Sequence, residues 1–386
     1  MICEIGSYQI SKSGNIICGD RIENHKVKTE NRNICILSDG LGSGAKAREL
    51  ADLTVSIALA YTLKHEPVER TAHVILNSLP IDEKKRIGYS TFTIIDIDNE
   101  QFTRIVEFDN PSVQIFRNGE LMIHERKSFV TQGLGFNRNV YLFDFQAQLN
   151  DRIVVCSDGV TQSGLGKKTS PFGWGDSELT RYLLRFWNEN SEHSAAQVAE
   201  MIVNQAKSND AFLPQDDISC TVIYFRQPRK VVVCTGPPFD KENDTLFANK
   251  LNTYKGSKVV CGGTTSQIIA RELNLSLKLD LANIVPDLPP SATMESVDLV
   301  TEGVLTLSRV NDLIISDITD EQSPAGNLLR FLLAHDCIHF LVGTRINASH
   351  QNPDLPIELE VRSNLIRKMA QLLNEKFMKE ISLEFM

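Results

Sequence analysis

The chain has 386 residues, 42% of them hydrophobic and 23% charged, and a formal net charge of −9. That length exceeds what one hydrophobic core normally serves, so two globular domains are expected, and the acidic balance argues against sequence-independent nucleic-acid binding, which needs a basic face. No run of eighteen apolar residues occurs, and the opening MICEIGSYQISKSG lacks the basic and apolar segments of a leader, so a cytoplasmic chain without membrane association is expected.

Apolar and β-branched runs bounded by turn residues predict strands near 7–10, 14–18, 33–38, 89–96, 101–107, 112–117, 140–147, 151–157 and 218–225. Between them, 44–63 carries Leu50, Leu53, Ile57 and Tyr61 at helical steps, and 68–79, 177–187 and 194–207 show similar spacing. Strands and helices in separate blocks predict an α+β domain over 1–226, with a helix pair to cover each of two stacked sheets, a four-layer α-β-β-α sandwich. Arg226-Gln227-Pro228-Arg229-Lys230 reads as a connector. A second α/β domain over 227–386 follows, with strands at 231–234 and 258–261, helices at 240–253 and 266–273, and a terminal helix over 358–381. The eight cysteines include no Cys-x-x-Cys pair and sit mostly in apolar runs, so buried reduced thiols are expected rather than a zinc site or disulfides.

Acidic residues stand at the ends of four predicted strands: Asp20 after GNIICG, Asp39 after NICILS, Asp158 after DRIVVCS, and Asp216-Asp217 before ISCTVIYF. Buried strands that each deliver a carboxylate to their edge can gather ligands for a hard divalent cation, which prefers oxygen donors. The glycine after Asp39 and after Asp158 suits a backbone carbonyl turned toward the same ion. Taken singly, Asp-Gly and Asp-Asp are ordinary turn formers; four strand-end acids in one domain are not, because clustered carboxylates repel unless a cation lies among them.

At this point the residues carry a family resemblance. Asp39-Gly40-Leu41-Gly42-Ser43-Gly44-Ala45-Lys46-Ala47 is similar to the Asp-Gly-Met-Gly-x-Gly-x-x-Ala segment of bacterial phosphatases resembling the stage II sporulation protein E, a branch of the protein phosphatase 2C family. Asp151–Thr161 resembles that family's second Asp-Gly motif, Gln215-Asp216-Asp217-Ile218-Ser219 its terminal acidic motif, Cys18-Gly19-Asp20 its first, and Asn110–Glu120 its middle stretch. The resemblance covers about residues 7–225, with all motifs in order. It implies a serine/threonine phosphatase with two Mn²⁺ or Mg²⁺ ions that activate a water against a phosphomonoester. Asp39 would bridge the ions with the Gly40 carbonyl on one of them, Asp158 and Asp216 would complete the first ion, and Asp20 would serve the second. Asp217 would orient its neighbour or itself take the place of Asp216 as a metal ligand, with Asp216 the preferred of the two. By the same analogy the substrate is a phosphoserine or phosphothreonine protein, such as a regulator in a partner-switching pathway.

Arg21 stands where relatives have a small polar residue. Arg21 and Arg32 are candidates for phosphate contacts, and His25, in an expected polar loop, is a candidate general acid. Two other readings use the same residues. The glycine-rich stretch after Asp39 could cradle a nucleotide, though it lacks Gly-Lys-Ser/Thr, or the fold could persist as an inactive scaffold. In the second domain, Gly262-Gly263-Thr264-Thr265 runs from strand to helix and is a candidate loop for a small anionic ligand, through which this domain would act as a sensing or partner-binding module.

Overall fold

The structure, a computed structural model, describes residues 1–79, 90–133, 136–168, 170–189, 193–279, 292–345 and 356–386. The chain divides into two compact units, Met1–Gln227 and Pro228–Met386.

In the first unit the strands are β1 (Ile2–Ile10), β2 (Asp20–Val27), β3 (Arg32–Asp39), β4 (Phe92–Ile97), β5 (Phe102–Phe108), β6 (Gln114–Arg117), β7 (Glu120–Leu121), β8 (Lys127–Gly133), β9 (Phe136–Gln146), β10 (Arg152–Cys156) and β11 (Ile218–Arg226). The helices are α1 (Ala45–Leu63), α2 (Val68–Ser78), the single turn α3 (Asp158–Thr161), α4 (Gly175–Glu189) and α5 (Ala195–Asn209). Two antiparallel sheets form, in the orders β2-β3-β4-β5-β9-β8 and β1-β11-β10-β6-β7. Alternation along each strand sends one set of side chains between the sheets and the other toward helices. Cys35, Leu37, Ile95, Ile105, Ile115, Ile153, Val155 and Ile223 fill the middle. Ile34, Ile36 and Phe92 pack with Val55, Ala58 and Ile75 of α1 and α2 on one outer face. Val154, Cys156, Cys220 and Val222 pack with Leu183, Val198 and Ile202 of α4 and α5 on the other. The result is an α-β-β-α sandwich.

Several expectations need correction. Residues 14–18 are no strand: Ile16 is 99% exposed, and the strand begins at Asp20 instead. β2 is an edge strand of sequence DRIENHKV with mixed burial, so it lacks the apolar signature that reveals a central strand. The opposite edge strand, β8, of sequence KSFVTQG, lacks a continuous apolar run as well. The expected strand 89–96 starts at a residue outside the described ones, and β4 spans Phe92–Ile97. The helix expected over 44–63 is α1; its fully buried face is Ala47, Ala51, Thr54, Val55 and Ala58, while Ile57 is partly buried against the same core. Small side chains there let the helix axis approach the sheet more closely than a leucine stripe would.

In the second unit, β12 (Lys230–Thr235), β13 (Ser257–Cys261), β14 (Leu277–Leu279), β15 (Ala292–Met294), β16 (Val297–Thr301), β17 (Cys337–Val342) and β18 (Glu380–Phe385) form a sheet in the order β14-β15-β16-β13-β12-β17-β18. The five strands from β16 to β18 are parallel. α6 (Asp244–Thr253) and α7 (Gly263–Leu273) cover one face over Val232, Cys234 and Val260. α8 (Val304–Ile315), α9 (Pro324–Leu333) and α10 (Pro356–Phe377) cover the other over Val231, Val233 and Val259. The expected terminal helix over 358–381 stops at Phe377, where Met378 takes a φ of 53°, and the chain then adds β18 beside β17.

All eight cysteines are free thiols, and burial pushes those of Cys35 and Cys261 up to about 12, which leaves them protonated and inert at neutral pH. Among the described residues, no helix is long and apolar enough to cross a membrane.

Candidate active site

β3 is buried along nearly its whole length, so its last residue, Asp39, is carried to the sheet edge. β2 starts beside that end, and Asp20 pairs with Asp39 in the antiparallel register. In the facing sheet, β10 ends at Cys156 opposite Cys220 of β11, and the Ser157 N–H donates to the Ser219 carbonyl at 3.0 Å. Asp158, which opens α3, and Asp216-Asp217, which precede β11, therefore come to the same edge. Asp20 is 1% exposed, and neither of its carboxylate oxygens accepts a well-formed hydrogen bond, although the hydroxyls of Ser157 and Ser219 lie near enough to ease its charge. Asp217 is buried too; its Oδ1 accepts from the Lys12 N–H at 2.9 Å, while Oδ2 has no partner. Asp39 is pinned through its N–H by the Thr91 hydroxyl at 3.0 Å, Asp158 accepts from Gln162 at 2.8 Å, and Asp216 accepts from the Asp217 N–H at 2.9 Å.

Burial raises the carboxyl pKa of Asp20, Asp39, Asp158 and Asp216, and the neighbouring acids raise each of them further. Asp39 stands in the middle, feeling Asp20, Asp158 and Asp216 and lying within hydrogen-bonding reach of Asp20 and Asp158. Lys12 favours the ionised form of Asp216. Among the described residues, no three acidic, histidine or cysteine side chains draw together into a ready-made metal cage.

The glycines of the two Asp-Gly pairs answer to close approach. A methyl group added at Gly40 would lie 1.8 Å from the Ala47 carbonyl oxygen of α1, and one at Gly159 would lie 2.1 Å from the Asp217 carbonyl oxygen. Gly40 seats the end of β3 against α1, and Gly159 seats the Asp158 turn against the backbone of the Asp216-Asp217 pair.

The basic candidates lie elsewhere. Arg21 follows Asp20 on β2 and so faces the other side of the sheet, where it pairs with Glu23 at 2.6 Å and with Asp52 of α1 at 3.6 Å. Arg32 opens the strand that Asp39 closes, about 23 Å away at a normal strand rise. It is buried in a two-pronged pair with Asp96 at 2.6 Å and donates to the Thr62 carbonyl. Arg32→Met is expected to cost about 3 kcal/mol in urea unfolding because it strands Asp96, while any Mn²⁺-induced thermal shift stays unchanged. His25 lies inside β2, five residues from Asp20, so it is no loop histidine and stands roughly 17 Å from the acids. Two residues without a sequence signal matter more. Arg48 of α1 donates to the Asp20 carbonyl at 3.2 Å, and Asp210 accepts from the Gly164 N–H at 2.7 Å and from the Gln215 N–H at 3.0 Å, tying the loops beside the acids together. In the second unit, Gly262–Thr265 form the exit of β13 and the first turn of α7.

Solved structures of similar fold include the PP2C phosphatase domain, with a fragment of the regulatory domain, of SpoIIE from Bacillus subtilis. It is 17% identical with a TM-score of 0.49, over 58% of this chain and 62% of that one, so the match spans less than two thirds of the solved chain. RsbX in complex with magnesium is 17% identical with a TM-score of 0.40, over 57% and 94% of the two chains. The serine/threonine phosphatase PstP/Ppp of Mycobacterium tuberculosis is 16% identical with a TM-score of 0.43, over 59% and 100%. No curated protein sequence matches. Residues 29–226, just over half of the chain, match the family described as stage II sporulation protein E (SpoIIE), and the chain belongs to that family.

Proposed function

We propose that the first unit is a metal-dependent protein serine/threonine phosphatase that hydrolyses phosphomonoesters with two Mn²⁺ or Mg²⁺ ions. The observation that carries this reading is Asp20, a carboxylate 1% exposed with both oxygens unpartnered and Asp39, Asp158 and Asp217 around it. Leaving such a group uncompensated is costly, and a divalent cation is the partner that hard oxygen donors accept. The residues therefore fit the ions. Asp39, central among the acids, would serve both ions, with the Gly40 carbonyl on one of them; Asp158 and Asp216 would share the first; Asp20 would serve the second. The Asp217 N–H bond to Asp216 fits an orienting role, although its own Oδ2 is buried without a hydrogen-bond partner and could also take a cation. When bound, the cations supply Lewis acidity toward water and the phosphoryl oxygens. Lys12, beside Asp216, is a better placed cation for the phosphate than Arg21 or Arg32.

A protein substrate is supported by the loops around the acids. Ile16, Phe172, Phe212 and Leu213 are 99%, 89%, 67% and 61% exposed. Their loops are joined by the Ser13 N–H bond to the Pro214 carbonyl and by Asp210. Apolar side chains held out in one neighbourhood mark a macromolecular contact. The test is Mn²⁺-dependent phosphate release from p-nitrophenyl phosphate and from a phosphoserine protein. Changing Ile16, Phe172 and Phe212 together to serine is expected to raise KM for the protein about tenfold and leave that for the small ester unchanged. No hydrolysis of either substrate above buffer would instead favour an inactive scaffold.

A further inference from the structure

The central strands of the second unit run β16-β13-β12-β17-β18, with β12 first in the chain and its neighbours wound outward in both directions. In such a sheet the crevice beyond the carboxyl ends of the two strands where the winding reverses, here β12 and β17, is where ligands sit. The register brings Thr301, Cys261, Thr235 and Val342 level at that edge. Each strand then exits through glycine at once or one residue later: Gly303, Gly262, Gly236 and Gly343. Helices α7 and α8 begin at two of these exits. Neither has a side chain capping its first amides, and a methyl at Gly263 would meet nothing within 4 Å.

Independent of the helix ends, buried polar atoms without a hydrogen-bond partner collect here. Among the described residues of this unit there are six: Thr235 Oγ1, Asp244 Oδ1, Glu302 Oε2, Thr306 Oγ1, Arg345 Nη1 and Asn311 Oδ1. All but the last stand at strand exits or in first helical turns along this one edge. Thr235 and Thr306 are each 1% exposed. By alternation with Val231 and Val233, Thr235 faces the side on which α8 packs. Arg345, past the end of β17, reaches Asp244 only at 3.8 Å, and the Arg362 guanidinium approaches Gly236. Glu302 at the end of β16 and Arg345 beyond β17 are three strand spacings apart, about 15 Å.

We propose that this edge binds a nucleotide. Its phosphates lie toward Arg345 and the uncapped start of α7, the hydroxyls of Thr235 and Thr306 bond along its length, and Glu302 accepts from its sugar hydroxyls. A single small anion is too short to satisfy both ends. The site is separate from the acids of the first unit and does not rest on their function.

The experiment is calorimetric titration of the full chain with AMP, ADP, GTP, NAD⁺ and inorganic phosphate, in EDTA so that the first unit holds no cation. Saturable binding of at least one nucleotide is expected, with phosphate at least tenfold weaker, and Glu302→Gln and Arg345→Met are each expected to weaken the nucleotide about tenfold. Thr235→Val is expected to raise the ligand-free melting temperature, because it removes an orphaned hydroxyl, and to shrink the shift the nucleotide produces. The proposal is overturned if no nucleotide binds at millimolar concentration, if both charge variants bind like the parent, or if Thr235→Val lowers the ligand-free melting temperature.

Discussion

Asp39→Asn is expected to lower Mn²⁺-dependent hydrolysis of p-nitrophenyl phosphate by about 100-fold or more while making the metal-free protein more stable by roughly 1–3 kcal/mol. The opposite signs follow from one cause. Asp39 has its carboxyl pKa raised by burial and by Asp20, Asp158 and Asp216, so its ionised form is a burden on the fold unless a cation shares it. The folded state holds these protons more tightly than the unfolded chain, whose aspartates titrate near 4. Unfolding then releases protons, and the stability of the metal-free protein falls as pH rises from about 4 through neutrality. The advantage of the asparagine should be small at pH 4 and grow toward pH 7 in thermal denaturation with EDTA. Wild-type activity in the variant would remove Asp39 from the reaction; equal stability at every pH would mean that the acids do not repel one another in the folded chain.

Gly40→Ala is expected to destabilise the first unit by about 3 kcal/mol or more, whether or not metal is present. Its methyl would lie 1.8 Å from a helix carbonyl oxygen, and neither partner is a side chain that can swing aside. Gly42→Ala, two residues on, is the control. There φ is 98° and a methyl meets nothing within 4 Å, so the cost is backbone strain alone, about 1 kcal/mol. Urea midpoints of the two variants separate the effects. A Gly40→Ala midpoint no lower than that of Gly42→Ala would mean that α1 does not press on the end of β3.

Asp39, Asp158 and the Asp216-Asp217 pair were legible because each ends, follows or precedes a strand buried on both faces, and such strands announce themselves as continuous apolar runs. β3 and β11 are the clear cases. The first acidic strand was misread for the converse reason. Ile16 and Ile17 are exposed at a loop tip, and the polar residues of β2 form the ladder. Arg32 had the composition of a surface charge, yet its partner Asp96 is 64 residues away on β4, and no local pattern reveals such a pair. The buried face of α1 escaped because hydrophobic spacing points to leucines, whereas contact with Gly40 selects alanines. In the second unit, β12 and β13 could be read from their valines, but the order in which parallel strands lie is set by crossovers. The placement of Glu302, Thr235 and Arg345 along one sheet edge is therefore out of reach of any one segment.

The pairing of Asp20 with Asp39 has one further consequence. Two carboxyl groups face each other at the first rung of an edge ladder, where only one neighbour strand holds β2 in place. A cation received there would act as a clasp on the outermost strand of its sheet. Loading and emptying the site would then be felt first as the closing and fraying of that margin, with the central strands scarcely taking part.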